Sequence, residues 1–286
     1  MSLWRTWLYV PAHNTGQVTK ALASAADCVV LDLEDAVPRT EKDLARASAI
    51  TVIQQEQFKP VLIRINAHNT PWHEADLAAV AAADHIGPGF AGVRIPKAED
   101  PAQIGHMAEM LGPNIPVHLL LESAVGLANL QQLAQQRVNS IALGEADLRS
   151  DLAWTSDCAL DPVRVQLTIA ARAAHLPRPP ASVFTNVTDI DGLTASTQHL
   201  KSLGFFGRSV IHPSQIDPVN RIFSPTRQEI DAAHELLQEV SKQGSENRVA
   251  FIQSDGTFID PALIRQAHSI LDLEQQLAAV VEGKNS

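Results

Sequence analysis

The feature that most constrains this chain is an alternation. Short apolar, β-rich runs recur along it, and Ala- and Leu-rich stretches of helical character separate them. That is the βαβα pattern of a parallel sheet. Eight runs stand out, at 7–10, 28–33, 61–65, 92–95, 117–121, 140–143, 182–184 and 205–210. Each is apolar enough to be buried on both faces. Eight parallel strands predict a closed (β/α)8 TIM barrel, and 286 residues with 45% apolar content suffice for one such core plus an appendage. The helices between them are expected over 43–57, 74–83 and 161–174, the last with Pro162 just inside its start.

The pattern changes after Pro213. A helix is predicted over 226–242, a polar break over 244–247, a strand or hairpin over 248–259 around Asp255-Gly256, and a last helix over 261–282. An eight-stranded barrel does not need these elements. The expected organisation is therefore a catalytic barrel at 1–222 and, at 223–286, a helical and hairpin extension that serves as a lid or reaches a neighbouring subunit.

Composition excludes several function classes. A net charge of −10 gives no general attraction for nucleic acid or an anionic membrane, so an anionic substrate must be held by a few placed cations. Cys28 and Cys158 are far apart, which argues against a disulfide framework or a cysteine metal knuckle and fits a reducing cytoplasm. The first residues read as a strand, with an apolar run too short for a signal segment or membrane span.

Barrel enzymes carry their chemistry where strands run out into the following loops. Six of the eight runs end in a side chain suited to catalysis: Glu34-Asp35, Arg64, Lys97, Glu122, Glu145 with Asp147, and His212. Strand ends of a barrel share one mouth, where Glu34, Asp35, Glu122 and Asp147 would repel one another without a cation. Oxygen donors with little histidine or cysteine among them favour a hard ion, magnesium first. The other histidines, including His68, His73, His85 and His106, are scattered through loops and helices and do not suggest zinc.

Arg64 suits a substrate carboxylate, which a guanidinium grips with two parallel hydrogen bonds, or else a structural salt bridge with a mouth carboxylate. Lys97 reads either as a Schiff-base nucleophile or, beside so many carboxylates, as an ion-pairing ammonium near the substrate. Asp260 precedes Pro261 and reads as an N-cap of the last helix.

The segments Trp7-Leu8-Tyr9-Val10-Pro11, Val30-Leu31-Asp32-Leu33-Glu34-Asp35-Ala36-Val37-Pro38, Arg64-Ile65-Asn66, Ile95-Pro96-Lys97 and Leu121-Glu122-Ser123 occur in that order. Gly144 with Asp147-Leu148, then Gly204-Phe205-Phe206-Gly207 with Ile211-His212-Pro213, complete a set that resembles the citrate lyase β-chain/HpcH-HpaI aldolase family. The resemblance spans nearly the whole chain. It implies a magnesium-dependent carbon–carbon lyase acting on a short acyl-CoA such as citramalyl-CoA or malyl-CoA, assembled as a homo-trimer or hexamer.

By the same resemblance Glu122 and Asp147 ligate magnesium, Asp35 stands beside them, Arg64 grips an oxo-acid carboxylate, and Glu34 and Lys97 line the substrate. Asp260, within Gly256-Thr257-Phe258-Ile259-Asp260, looks like the acidic residue of a C-terminal lid and so a candidate acid/base. Coenzyme A must be held by isolated cations, with Arg5, Lys42, Arg46 and Arg208 the candidates; Lys42 and Arg46, four apart on a helix, equally fit an ion-paired face. The chain departs from the family pattern at Pro11-Ala12, Asn14-Thr15 and Pro180-Ala181, and after Asp147. Other readings are a citrate lyase β-subunit working on a citryl thioester, a pyruvate-type class II aldolase, and a non-catalytic binding protein.

Overall fold

The computed structural model describes residues 4–56, 59–83, 85–242, 251–252 and 258–283. It resolves into two compact units, Met1–Phe223 and Ser224–Ser286. The first unit alternates strand and helix: β1 (Thr6–Pro11), α1 (Thr15–Ala23), β2 (Cys28–Asp32), α2 (Lys42–Gln54), β3 (Val61–Arg64), α3 (His73–Ala81), β4 (Phe90–Ile95), α4 (Pro101–Leu111) and β5 (Val117–Leu121). Then come α5 (Ala124–Ala128), α6 (Leu130–Ala134), β6 (Ser140–Leu143), α7 (Glu145–Asp151), α8 (Leu160–Ala173), α9 (Ile190–Ser202), β7 (Arg208–Val210) and α10 (Ile216–Phe223).

The seven strands form one parallel sheet in the order β6-β5-β4-β3-β2-β1-β7, so the last strand returns to the first. The apolar runs are buried on both faces, as their composition predicts: Val29, Val30, Leu31, Leu62 and Ile63 have no solvent exposure. Helix starts follow local chemistry. Asn14 caps α1 by accepting from the Gln17 amide at 3.0 Å, and Asp100 caps α4 ahead of Pro101.

The expected strand over 182–184 is not formed. Ala181 alone bridges Arg208 of β7, and Ser182 takes over with its side chain, donating to the Leu143 carbonyl and accepting from the Glu145 amide at 3.1 Å. Pro179 and Pro180 explain the shortfall. Proline has no amide hydrogen, so two consecutive ladder donors are missing where a strand would begin.

In the second unit, α11 (Arg227–Lys242) packs on α12 (Pro261–Gly283), and β8 (Phe251–Ile252) pairs antiparallel with β9 (Phe258–Ile259). The polar break at 244–247 and the turn at Asp255-Gly256 lie outside the described residues. No described helix is long and apolar enough to cross a membrane.

Candidate active site at the carboxyl ends of the strands

The strand register builds the site. Asp32 of β2 sits beside Arg64 of β3, and both are buried. Arg64 Nε and Nη2 each reach an oxygen of Asp32 at 2.7 Å, a two-pronged grip that fixes the plane of the guanidinium. Asp32 also accepts the Glu34 and Ala36 amides at 2.9 and 3.1 Å, so it shapes the loop carrying Glu34 and Asp35. Burial raises the Asp32 carboxyl, but the Arg64 charge and these hydrogen bonds outweigh it and hold it below its usual range.

The remaining face of Arg64 turns to the other acids. Nη1 donates to Asp35 at 3.2 Å and stands 3.0 Å from Glu34 Oε2. The second contact is an ion pair without hydrogen-bond geometry, so Glu34 Oε2 is buried with no hydrogen-bond partner. Burial pushes the Glu34 carboxyl up against the opposing pull of Arg64. Lys97 Nζ donates to Glu34 Oε1 at 2.9 Å, and this bond keeps the ammonium protonated although burial opposes it. An ammonium so held is an ion-pairing group, not a Schiff-base nucleophile.

Glu122 follows β5 and is buried. Its Oε2 accepts the Lys97 amide at 2.9 Å, and Lys97 takes a left-handed backbone, φ 49°, to present it. That conformation costs a side-chain-bearing residue about 1–2 kcal/mol. Gly144 lies against the other oxygen: a Cβ there would stand 2.3 Å from Glu122 Oε1, so only glycine fits. Burial, then the nearby Glu34, pushes the Glu122 carboxyl up to about 8, with Asp147 adding to the rise and Arg64 opposing it. Asp147, on the first turn of α7, is exposed and makes no hydrogen bond with the described residues.

Tyr9, Asp32, Asp35, Arg64, Glu122 and Asp147 line one cleft of about 430 Å³, which Ser182 and the Leu143–Asp147 turn close on one side. A buried carboxylate cradled by glycine, an exposed one beside it and a further acid paired to Arg64 form an oxygen-only donor set. These residues fit a hard divalent cation, which would relieve their mutual repulsion.

The four proposed phosphate contacts are not brought together. Arg5 precedes β1, at the opposite end of the sheet, and pairs with Asp27 at 2.8 Å. Lys42 is buried with its ammonium on the Leu33 and Glu34 carbonyls and Asn66 Oδ1 at 2.6–2.7 Å. Arg46 pairs with Asp76 and Asp43, and the buried Arg208 bonds Thr197 and Ser196 hydroxyls. Asp260 caps α12, one oxygen accepting the Ala262 and Leu263 amides at 2.9 Å each.

Sequence reasoning passed over Asp32, Ser182 and Tyr9. For Asp32 a signal exists: a carboxylate inside a run that reads as buried on both faces must have a cationic partner. For the other two there is none, because their placement depends on sheet curvature.

A sequence profile of the HpcH/HpaI aldolase/citrate lyase family matches residues 5–213. The chain is 31% identical to the citrate lyase subunit beta of Leuconostoc mesenteroides subsp. cremoris, covering 95% of this chain and 93% of that one. It is 30% identical to a (3S)-malyl-CoA thioesterase of Cereibacter sphaeroides, covering 96% of both. Among solved structures, CitE from Mycobacterium tuberculosis in complex with magnesium, acetoacetate and coenzyme A superposes with a TM-score of 0.77 at 28% identity, covering 93% of this chain and 96% of that one.

Proposed function

Because the chain belongs to the HpcH/HpaI aldolase/citrate lyase family, we propose that it is a magnesium-dependent lyase that cleaves a short 3-hydroxyacyl-CoA, citramalyl-CoA first and malyl-CoA second. The observation that carries this reading is Arg64, held in plane by Asp32, facing Glu122 in its Gly144 cradle across one cleft. A fixed cationic fork beside an oxygen-donor set suits a substrate that becomes an oxo acid.

Glu122 and Asp147 would hold the magnesium ion, with Asp35 beside them, and the ion supplies positive charge for the oxygen that turns from hydroxyl to carbonyl. Cleavage requires a base to take the proton of that hydroxyl as the carbon–carbon bond breaks, leaving an oxo acid and the enolate of acetyl-CoA. Arg64 binds the carboxylate of the oxo-acid half through the hydrogens that Asp32 and Asp35 do not take, and so orients the breaking bond. A proton delivered to the enolate carbon completes acetyl-CoA. Asp260 is our candidate donor, carried by a lid that reaches the mouth of a neighbouring subunit's TIM barrel; its second oxygen makes no hydrogen bond with the described residues.

We assign the thioester arm to a second cavity beside the mouth. A cavity of about 300 Å³ lined by Gln17, Lys20 and His212 shares Tyr9, Val10 and Ile211 with the mouth, and offers an exposed ammonium to a phosphate.

The test is to incubate the protein with magnesium and, separately, citramalyl-CoA, malyl-CoA and citryl-CoA, and to follow acetyl-CoA and free CoA. Acetyl-CoA plus pyruvate from citramalyl-CoA is expected. Free CoA plus malate would identify a hydrolase, and no cleavage of any thioester would overturn the lyase reading. Asp147→Ala should abolish turnover. Asp260→Asn keeps the cap but not the acid, so its turnover should fall by roughly 10²–10⁴ with folding intact.

A further inference from the structure

The stretch from the end of β3 into the first turn of α3 carries two histidines, five residues apart, that no helix or strand spacing would bring together. In the fold they meet: the His68 and His73 rings pack edge to face with centroids 5.1 Å apart. His68, His73 and Glu74 each bring a ligand atom within 4.8 Å of the others. Proximity of this kind is common, so the state of each side chain decides what it can do.

His73 is 1% exposed, and its Nδ1 lies 2.9 Å from the Asn66 carbonyl oxygen. A carbonyl only accepts, so Nδ1 carries the hydrogen and the Nε2 lone pair is free in the neutral ring. Nε2 is buried and has no hydrogen-bond partner. A buried nitrogen with its lone pair unused is out of keeping with a purely structural histidine. It is the state of a metal-ligating one, whose other ring nitrogen donates to a carbonyl that fixes tautomer and orientation.

The carbonyl is itself fixed. The Asn66 amide and Nδ2 donate to Asp76 at 2.9 and 2.6 Å, and its Oδ1 accepts from Lys42 at 2.7 Å. His68 and Glu74, by contrast, are exposed and make no hydrogen bond or ion pair with the described residues. One ligand is thus rigid and two are free to swing inward to the spacing that bonds of about 2.0–2.2 Å impose.

We propose that His68, His73 and Glu74 form a second metal site, for a zinc-class transition ion, separate from the carboxylate site of Glu122 and Asp147. Two imidazoles and one carboxylate leave a fourth position of a tetrahedral ion to water. Imidazole donors select zinc, nickel or copper over magnesium, so the two sites take different ions from one solution. The ligands bracket residues 69–72 of the loop that follows Arg64, and an ion there would pin that loop against the start of α3.

Zinc is titrated calorimetrically into the full chain in excess magnesium, and again into Glu122→Gln, in which the carboxylate site is damaged. One equivalent should bind in both. His68→Ala and Glu74→Gln, both at exposed positions, should each weaken zinc at least about tenfold, the least that losing even a supporting contact costs, with circular dichroism unchanged. Cobalt substituted for zinc should show imidazole coordination by X-ray absorption. Zinc binding that disappears in Glu122→Gln, that is displaced by millimolar magnesium, or that is unchanged in both loop variants would overturn the proposal.

Discussion

Both ends of the parallel sheet bury ionisable side chains, and they do so on opposite terms. At the amino-terminal end His118 lies among Trp4 and Trp7, donates from Nε2 to the Ala91 carbonyl at 3.1 Å and accepts at Nδ1 from the Ser140 hydroxyl at 2.8 Å. Both nitrogens are satisfied by neutral partners, and burial holds the ring uncharged. At the carboxyl-terminal end Asp32, Glu34 and Asp35 share the cations Arg64 and Lys97, and Glu122 and Asp147 stand near them with no ion pair to the described residues. The acids outnumber the bases, and burial, with Glu34 and Asp147 adding to it, pushes Glu122 up to about 8. The base of the sheet is a self-sufficient solution to burial, whereas the mouth keeps an electrostatic conflict that a bound cation offsets. Conflict of that kind costs stability and is retained where ligands bind.

The largest test of this contrast is Arg64. Arg64→Ala strands Asp32 in a buried position opposite Glu34, which should cost about 3–5 kcal/mol by denaturant titration, because an uncompensated buried charge is left behind. Glu122→Gln removes a source of the conflict and should leave stability unchanged or raise it while turnover is lost. If the two substitutions destabilised the protein equally, the mouth would be an ordinary ion-pair network, and the contrast between the ends would fail.

The two ends also differ in how far the chain announces them. Val117–Leu121 and Ser140–Leu143 are legible as strands because their apolar runs end abruptly in polar loops. The same rule places Arg64, Glu122 and Asp147 at one mouth. Asp32 is not legible as the holder of Arg64, because the pairing depends on the β2–β3 register, which joins residues 32 positions apart. Lys42 reads as a solvent-facing cation on a helix, yet its acceptors include the main-chain carbonyls of Leu33 and Glu34, which no side-chain pattern signals. Likewise Ser182 replaces a strand with one hydroxyl, and His68 meets His73 only through a turn.

A smaller effect separates geometry from charge at the mouth. Gly144→Ala adds no charge but drives a Cβ to within 2.3 Å of Glu122 Oε1, so the carboxylate must move. Overpacking should cost about 1–3 kcal/mol. Displacing a group that holds the cation should lower kcat by roughly 10², the penalty for misplacing reacting groups by about an ångström. The check is kcat at saturating magnesium. Recovery of full activity by extra magnesium would place the defect in affinity alone and show that the cradle sets no geometry.

The last effect lies at the other end and has a definite sign. Burial pushes His118 down from 6.5 to about 4. The unfolded chain therefore binds more protons than the folded one between those values, so this contribution is whole above about pH 6.5 and is lost as pH falls through the window, roughly 3 kcal/mol in all. Arg94 sharpens the point. It is buried between the ends, over the Trp7 and Tyr9 rings at 5.1 and 5.8 Å, with Nε and Nη1 unpartnered, and its charge adds to the lowering of His118. Arg94→Met exchanges a buried charge for an apolar side chain and should change stability at pH 7 by no more than about 1 kcal/mol in the unfavourable direction. It should also raise the His118 titration midpoint seen by ring-proton NMR and flatten the acid limb of the stability curve. An unmoved midpoint would mean that burial and the hydrogen bond to the Ala91 carbonyl set this histidine, and that the Arg94 charge does not reach it.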